Sequence, residues 1–337
     1  MAFDLVKKVN ICEVGLRDGL QNEKIPGQTV QVTKKDGTVV TVPAPLVLSV
    51  DQKVQLLRNM IDAGFKVIEV GSFMSPKAVP QMANTDEVFK AIQAYDVPED
   101  VQLRALIPNK RGVDRAIACG CKKVKLNVSA SEGHNMANLN RTVAESMAGF
   151  KECAEYARAN GLEISGSISC AFGSPWEGVV PMSDVKKCIE AYMDAGITEI
   201  SLSDAAGMAM PKQVYEICTE VRREYPENSW WLHFHNTRGM AISNIIAGMQ
   251  AGMTNFDAAF AGAGGCNFIP NATGNVSTED VLHAMEGMGV ETGIDLVKAI
   301  ANGKLAQQMM GHTADSYVLA AGRNCDAMEI MKARKKK

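Results

Sequence analysis

The chain has 337 residues, 46% of them hydrophobic, and a formal net charge of -3. That length supports a full hydrophobic core, and the near-neutral charge argues against a nucleic-acid or membrane-surface binder. No apolar run approaches the roughly 18 residues of a membrane span. In chain order, Met1–Lys8 lacks the apolar core of a signal peptide. Val9–Val14 reads as a first strand. Gln28–Val42 follows, with alternating β-branched residues around Lys35-Asp36-Gly37 and prolines at 26, 43 and 45, which is a hairpin signal. Helix Val50–Ala63, strand Val67–Val70 and helix Thr85–Ala94 come next. Strands Leu103–Ile107, Val124–Val128, Ile164–Ala171, Glu199–Leu202, Trp230–His235 and Asn255–Phe260 then alternate with helices such as Val143–Asn160, Ser183–Ala195, Lys212–Glu224 and Met240–Ala251. Small-residue stops at Ala63-Gly64, Asn160-Gly161, Ala195-Gly196 and Ala251-Gly252 separate helix from strand. The Lys332–Lys337 tail reads as a solvated basic end.

Eight strands in this alternation predict a single α/β domain, a (β/α)8 TIM barrel over about residues 9–290. A β-hairpin insertion at about 26–45 follows strand 1, and extra C-terminal helices occupy about 291–337. A doubly wound open sheet is the alternative, weakened because no glycine-rich phosphate loop follows the first strand. The nine cysteines lack the spacing of a disulfide framework or a complete zinc site, which suggests reduced thiols and a cytoplasmic location.

In a barrel, polar residues at the C-terminal ends of strands face the active site. Arg17 and Asp18 stand there after the first strand, although spacing alone equally allows an ion pair at a turn. His233 and His235, two apart on a strand, point to one side and form a candidate ligand pair. Two imidazoles and a carboxylate suit Mg2+ or Mn2+, with Zn2+ also possible. The loop Ala261–Asn267 is glycine-rich and holds Cys266; it reads as a linker or as a mobile lid with an acid/base cysteine. Glu69 and Asp204 also fall at strand ends, where structural and catalytic roles are both open, and Asp204 could cap the next helix.

Together these stretches resemble 3-hydroxy-3-methylglutaryl-CoA lyases of the DRE-TIM metallolyase superfamily, from about Val9 to about Leu296. The resemblance rests on Glu13-Val14-Gly15 with Arg17–Glu23, on Val67-Ile68-Glu69, and on Ser72-Phe73 with Ser75–Lys77 and Val79–Met82. Ser129–Glu132, Ser169–Gly173, Gly264-Gly265-Cys266 and Gly274-Asn275 with Thr278–Asp280 fit as well. The resemblance implies that Asp18, His233, His235 and Asn275 bind the metal and that Arg17 polarises the thioester carbonyl. Glu69 and Asp204 would lie near the substrate hydroxyl, and Cys266 would be the lid acid/base. His233 or Asp204 would act as base, and Gln21 would touch substrate.

The implied reaction is cleavage of a 3-hydroxy-3-substituted acyl-CoA to acetyl-CoA and a ketone or keto acid. A condensing acyltransferase or a pyruvate-forming aldolase of the same superfamily is the second enzyme reading; a barrel reused as a binding scaffold is the non-enzymatic one. A homo-oligomer, a dimer, is expected.

Departures from the family pattern bear on the substrate. Leu16 replaces a proline, and Asn236 and Arg238 stand where aspartate and tyrosine are usual. The hairpin has no counterpart, and Asn267–Asn271 differ from the usual Pro-Tyr-Ala. Arg238 is therefore expected to be available for an extra substrate carboxylate or phosphate.

Overall fold

A computed structural model describes residues 5–33, 36–265, 269–313 and 315–334. Eight parallel strands close into a barrel: β1 (Asn10–Glu13), β4 (Val67–Ser72), β5 (Gln102–Leu106), β6 (Lys123–Ser129), β7 (Glu163–Ser169), β8 (Glu199–Asp204), β9 (Ser229–Phe234) and β10 (Asn255–Ala258). β1 pairs with β10 on one side and β4 on the other, which completes the ring. The expected barrel is thus present. Among the described residues no helix is long and apolar enough to cross a membrane.

The main apolar core lies between the strands and the helices, where Ile68, Val124, Ile168, Leu202 and Phe256 are buried. The barrel interior is different. Strand residues on alternate positions face inward, and barrels usually fill that space with branched apolar side chains. Here Glu69, Arg104, Lys125 and Asp257 are all buried within the ring and pair with one another.

Each expected helix stop has a physical cause, and Gly64 shows it best. Helix α1 (Val50–Ala63) begins with a capping box at Ser49 and Gln52 and ends at Gly64, in the left-handed region at φ 101°. A Cβ there would also lie 2.6 Å from the Gly293 carbonyl oxygen, so only glycine fits.

Two expectations need correction. The helix expected over Val143–Asn160 is two helices, α5 (Val143–Ala148) and α6 (Phe150–Ala159), separated at Gly149. Glycine has no side chain to hold a helical turn, and the residue marks the break. Arg17 and Asp18 are not on the end of β1 either. The chain leaves β1 into a wide turn over Gly15–Gly19, where the Gly19 and Leu20 amides donate to the Val14 and Gly15 carbonyls, five residues back. Such wide turns re-aim side chains, and this one points Arg17 and Asp18 inward.

The insertion after β1 is an antiparallel hairpin of β2 (Lys24–Thr33) and β3 (Val39–Pro45). Most of it is exposed, and Lys24 pairs with Pro45 at its base. The C-terminal extension holds α11 (Leu296–Met310), α12 (Tyr317–Ala321) and α13 (Asn324–Arg334).

Candidate active site

β9 carries His233 at its end and His235 just beyond, so both imidazoles enter the mouth of the barrel. His233 Nε2 lies 3.7 Å and His235 Nε2 3.4 Å from Asp18 Oδ2. The three residues are buried, and one ligand atom from each lies within 4.8 Å of the others. Asp18 Oδ2 accepts from Asn275 Nδ2 at 2.9 Å, and Oδ1 accepts from Gln21 Nε2 at 2.8 Å and from Arg17 Nη1. Burial opposes ionisation of Asp18. The Arg17 guanidinium and the two imidazoles outweigh it and hold the carboxyl well below the usual carboxylate range. An ionised carboxylate and two imidazoles that converge in a buried mouth are a donor set that fits a divalent cation. The His235 Nδ1 is buried with no hydrogen-bond partner among the described residues, so this imidazole is not fully engaged by protein.

Asp257 is the partner that sequence reasoning missed. It lies on β10, and its Oδ2 is 3.2 Å from His233 Nδ1. That contact fixes the proton on Nδ1 and turns Nε2 toward Asp18. Asp257 also faces Lys125 at 3.8 Å and Arg104 at 3.6 Å. Burial opposes its charge, but Lys125 and His233 bring its pKa below the ordinary value.

Glu69 sits at the centre of the same network, fully buried. Its Oε2 accepts from Arg17 Nε at 2.6 Å, while Oε1 meets Lys125 and lies 3.6 Å from Arg104 Nε. Burial again opposes ionisation, and the three cations overcome it. Arg17, Arg104 and Lys125 thus balance Asp18, Glu69 and Asp257. Arg104 further stacks on Trp231, 4.7 Å from the ring centroid.

The mouth of the barrel holds a cavity of about 240 Å³. Arg17, Asp18, Gln21, His233 and His235 line it, together with a polar wall of Asn127, Ser167, Ser169 and Ser203. A second cavity of about 420 Å³ shares Met74, Pro108, Asn127 and Asn138 with the first and continues outward to Lys110 and Arg141. His134, also missed, is a buried residue of the inner wall, and burial pushes its pKa down to about 4.

Three expected site residues, Glu69, Asp204 and Arg238, first engage other protein groups. Glu69 lies behind Arg17 rather than on the cavity wall. Asp204 accepts from the Met208 and Ala209 amides, both at 2.9 Å, so it braces the loop after β8; the next helix, α8 (Pro211–Glu224), starts too late for Asp204 to cap it. Burial raises its pKa in spite of those amides. Arg238 is exposed and donates to the Ala206 and Gly207 carbonyls, each at 3.1 Å. It is therefore tied to backbone outside the cavity wall. Cys266 lies outside the described residues.

Asp257 and Lys125, though missed, carried a usable signal. In a barrel strand covered on both faces, a charge inside an apolar run must point to the interior. Val124-Lys125-Leu126 and Phe256-Asp257-Ala258 both show that pattern.

The HMGL-like family model matches residues 27–305. The (R)-citramalyl-CoA lyase of Chloroflexus aurantiacus is 37% identical over 94% of this chain and 96% of its own. The hydroxymethylglutaryl-CoA lyase of Bacillus subtilis is 34% identical over 90% of this chain and 94% of its own. A solved HMG-CoA lyase of Acinetobacter baumannii, in complex with coenzyme A and 3-methylmalate, is similar with a TM-score of 0.84. It is 36% identical, and the match covers 95% of this chain and 97% of that one.

Proposed function

We infer the reaction of a chain that belongs to the HMGL-like family and is a carbon–carbon lyase: it cleaves the C2–C3 bond of a 3-hydroxy-3-substituted acyl-CoA, giving acetyl-CoA and a keto acid. The observation that carries this reading is the convergence of Asp18, His233 and His235 on a cavity that Arg17 also lines. Asp18, His233 and His235 would hold a divalent cation, Mg2+ or Mn2+ ahead of Zn2+, with Asn275 as a further ligand if its amide turns its oxygen inward. Such a cation, when bound, polarises the oxygens of the substrate hydroxyl and carbonyl.

The chain's own groups do the rest. His233 Nδ1 is engaged by Asp257, so a role for Nε2 in holding the cation leaves no ring nitrogen to take a proton. Asp204 is then the base for the 3-hydroxyl, since each of its oxygens keeps a lone pair beyond the amide it accepts. As the C2–C3 bond breaks, its electron pair stays on C2 as the enolate of acetyl-CoA. The Arg17 guanidinium stabilises the charge that develops on the thioester oxygen. Glu69 acts through Arg17 by fixing Nε. Gln21 orients Asp18 and borders the substrate. Cys266 delivers a proton to C2. The outer cavity, with Lys110 and Arg141 at its edge, suits the anionic arm of a CoA ester.

Two substrates compete. 3-Hydroxy-3-methylglutaryl-CoA would yield acetoacetate, and citramalyl-CoA would yield pyruvate; the relative named for the second is 37% identical. Both esters are to be offered with Mg2+ or Mn2+, and acetyl-CoA, acetoacetate and pyruvate measured. Release of acetyl-CoA from neither would sink the reading. The homodimer and cytoplasmic location expected from the sequence remain part of it, and light scattering and cell fractionation test them.

A further inference from the structure

Glu13 ends β1 and is buried. Its Oε1 accepts from the Gly15 amide at 2.7 Å and the Phe260 amide at 2.9 Å, and its Oε2 accepts from Thr278 Oγ1 at 2.6 Å. Gly15 opens the turn that carries Arg17 and Asp18. Phe260 lies at the root of the glycine-rich loop, and Thr278 starts helix α10 (Thr278–Met288). One carboxyl group therefore joins three segments drawn from the start and the end of the barrel sequence.

The neighbouring contacts tighten the same joint. A Cβ on Gly15 would lie 2.3 Å from the Phe260 ring, so the turn packs directly on that side chain. Ala261 sits in the left-handed region at φ 57°, a strained choice for alanine. Its amide donates to both oxygens of buried Glu279, at 3.1 and 2.9 Å, and Glu279 also accepts from Ser277 Oγ at 2.6 Å. Two residues on, the Ala263 carbonyl accepts from Asn275 Nδ2, the same atom that donates to Asp18.

We propose that Glu13 is a positioning residue: its carboxyl group locks the turn bearing Arg17 and Asp18 to the root of the glycine-rich loop, so that both halves of the active site keep one relative placement. The proposal rests on the lyase reading above. An amide can meet the same three partners, because its oxygen can accept both backbone N–H groups and its NH2 can donate to Thr278 Oγ1. Burial pushes the Glu13 carboxyl up to about 8, against those hydrogen bonds, so a neutral side chain is a fair mimic near neutral pH. A shorter carboxylate cannot span the joint.

The test compares E13D and E13Q in the full chain. Steady-state kinetics use the acyl-CoA that the parent cleaves, and backbone amide exchange is followed in peptides covering residues 14–20 and 260–265. E13D withdraws the carboxylate by about 1.5 Å, one carbon–carbon bond. A shift of that size is expected to lower kcat by about 10- to 100-fold, with KM within about twofold. Exchange should speed up in both segments together, while E13Q restores kcat and slow exchange. Three results would overturn the proposal: E13D with parental kcat, E13Q as impaired as E13D, or exchange that rises in one segment alone. If the parent itself cleaves no acyl-CoA, the lyase reading falls, and the exchange arm still decides the role of Glu13.

Discussion

Replacing Asp257 by asparagine tests whether the layer beneath the histidines sets metal affinity. The carboxylate is 3.2 Å from His233 Nδ1 and makes two longer contacts, 3.6 Å to Arg104 and 3.8 Å to Lys125. Two effects follow from removing its charge. The imidazole loses the anion that fixes its tautomer and orientation, a change that typically costs about 10- to 100-fold in metal affinity, or about 1.4–2.8 kcal/mol. The buried network also changes from three carboxylates against three cations to two against three, which places excess positive charge beside the cation site. At an effective dielectric of about 20, each contact near 3.7 Å is worth about 4 kcal/mol before desolvation is counted. Arg104 keeps Glu69 and Glu199, and Lys125 keeps Glu69, so the net loss of stability is expected at about 3 kcal/mol, the low end for breaking a buried pair. Isothermal titration with Mn2+ and thermal melts of metal-free protein measure the two effects separately. A folded D257N protein that binds Mn2+ within about threefold of the parent would refute the orienting role, since the tautomer argument requires at least about tenfold.

Other predictions concern single groups. Asp18→Asn should abolish both tight Mn2+ binding and turnover and lower the melting temperature, because it leaves buried Arg17 without one of its two carboxylate partners; retained stoichiometric binding on titration would count against the ligand set. Burial pushes the Glu279 carboxyl up to about 7 from 4.5, so the folded state holds a proton that the unfolded state has released. Stability from this group is therefore complete below about pH 4.5 and is lost as pH rises toward about 7. Melting curves from pH 4.5 to 8 should show a shallower decline in E279Q than in the parent; equal slopes would exclude Glu279 as the source. Arg238→Ala should leave kcat/KM for both candidate esters within about twofold, because its guanidinium serves the Ala206 and Gly207 carbonyls. A tenfold rise in KM would return Arg238 to the substrate. Joining Ile25 to Ala44 through Asn-Gly should leave the melting temperature within about 2 °C, since the hairpin is exposed and its base residues already pair.

The barrel was legible because periodicity reports burial on one or both faces, and parallel strands between amphipathic helices leave a repeated signature. His233 and His235 were legible for the same reason: residues two apart on a strand share a side. The placement of Arg17 and Asp18 was only half legible. Nothing in Gly15–Gly19 distinguishes a five-residue turn from a loop, because its stability comes from Glu13 and Phe260, far apart in sequence. Asp257, Lys125 and Arg104 were within reach, as charges embedded in strands with two covered faces. His134 was not, since a histidine near a helix start carries no direction until the neighbouring loop is placed. The roles expected for Glu69 and Asp204 followed strand ends, and strand position alone does not say whether a carboxylate meets the cavity or a backbone amide first.

The closure of the ring has a consequence for how the protein is made. Asn10 on the first strand hydrogen-bonds Asn255 on the last, 245 positions along the chain. Asp18 likewise waits for His233, His235 and Asn275. A ribosome that has released only the first two-thirds of the chain has therefore produced most of the helices and none of the assembled Asp18–His233–His235 cluster. Contacts this distant in sequence slow folding, because a long loop must close before any of them is made. Until then, Arg104, Lys125, Glu69 and their partners stay hydrated, and their removal from water coincides with the arrival of the last strand. The step that completes the fold is thus the step that creates the chemistry, so a partly folded chain has little means of carrying out the reaction early.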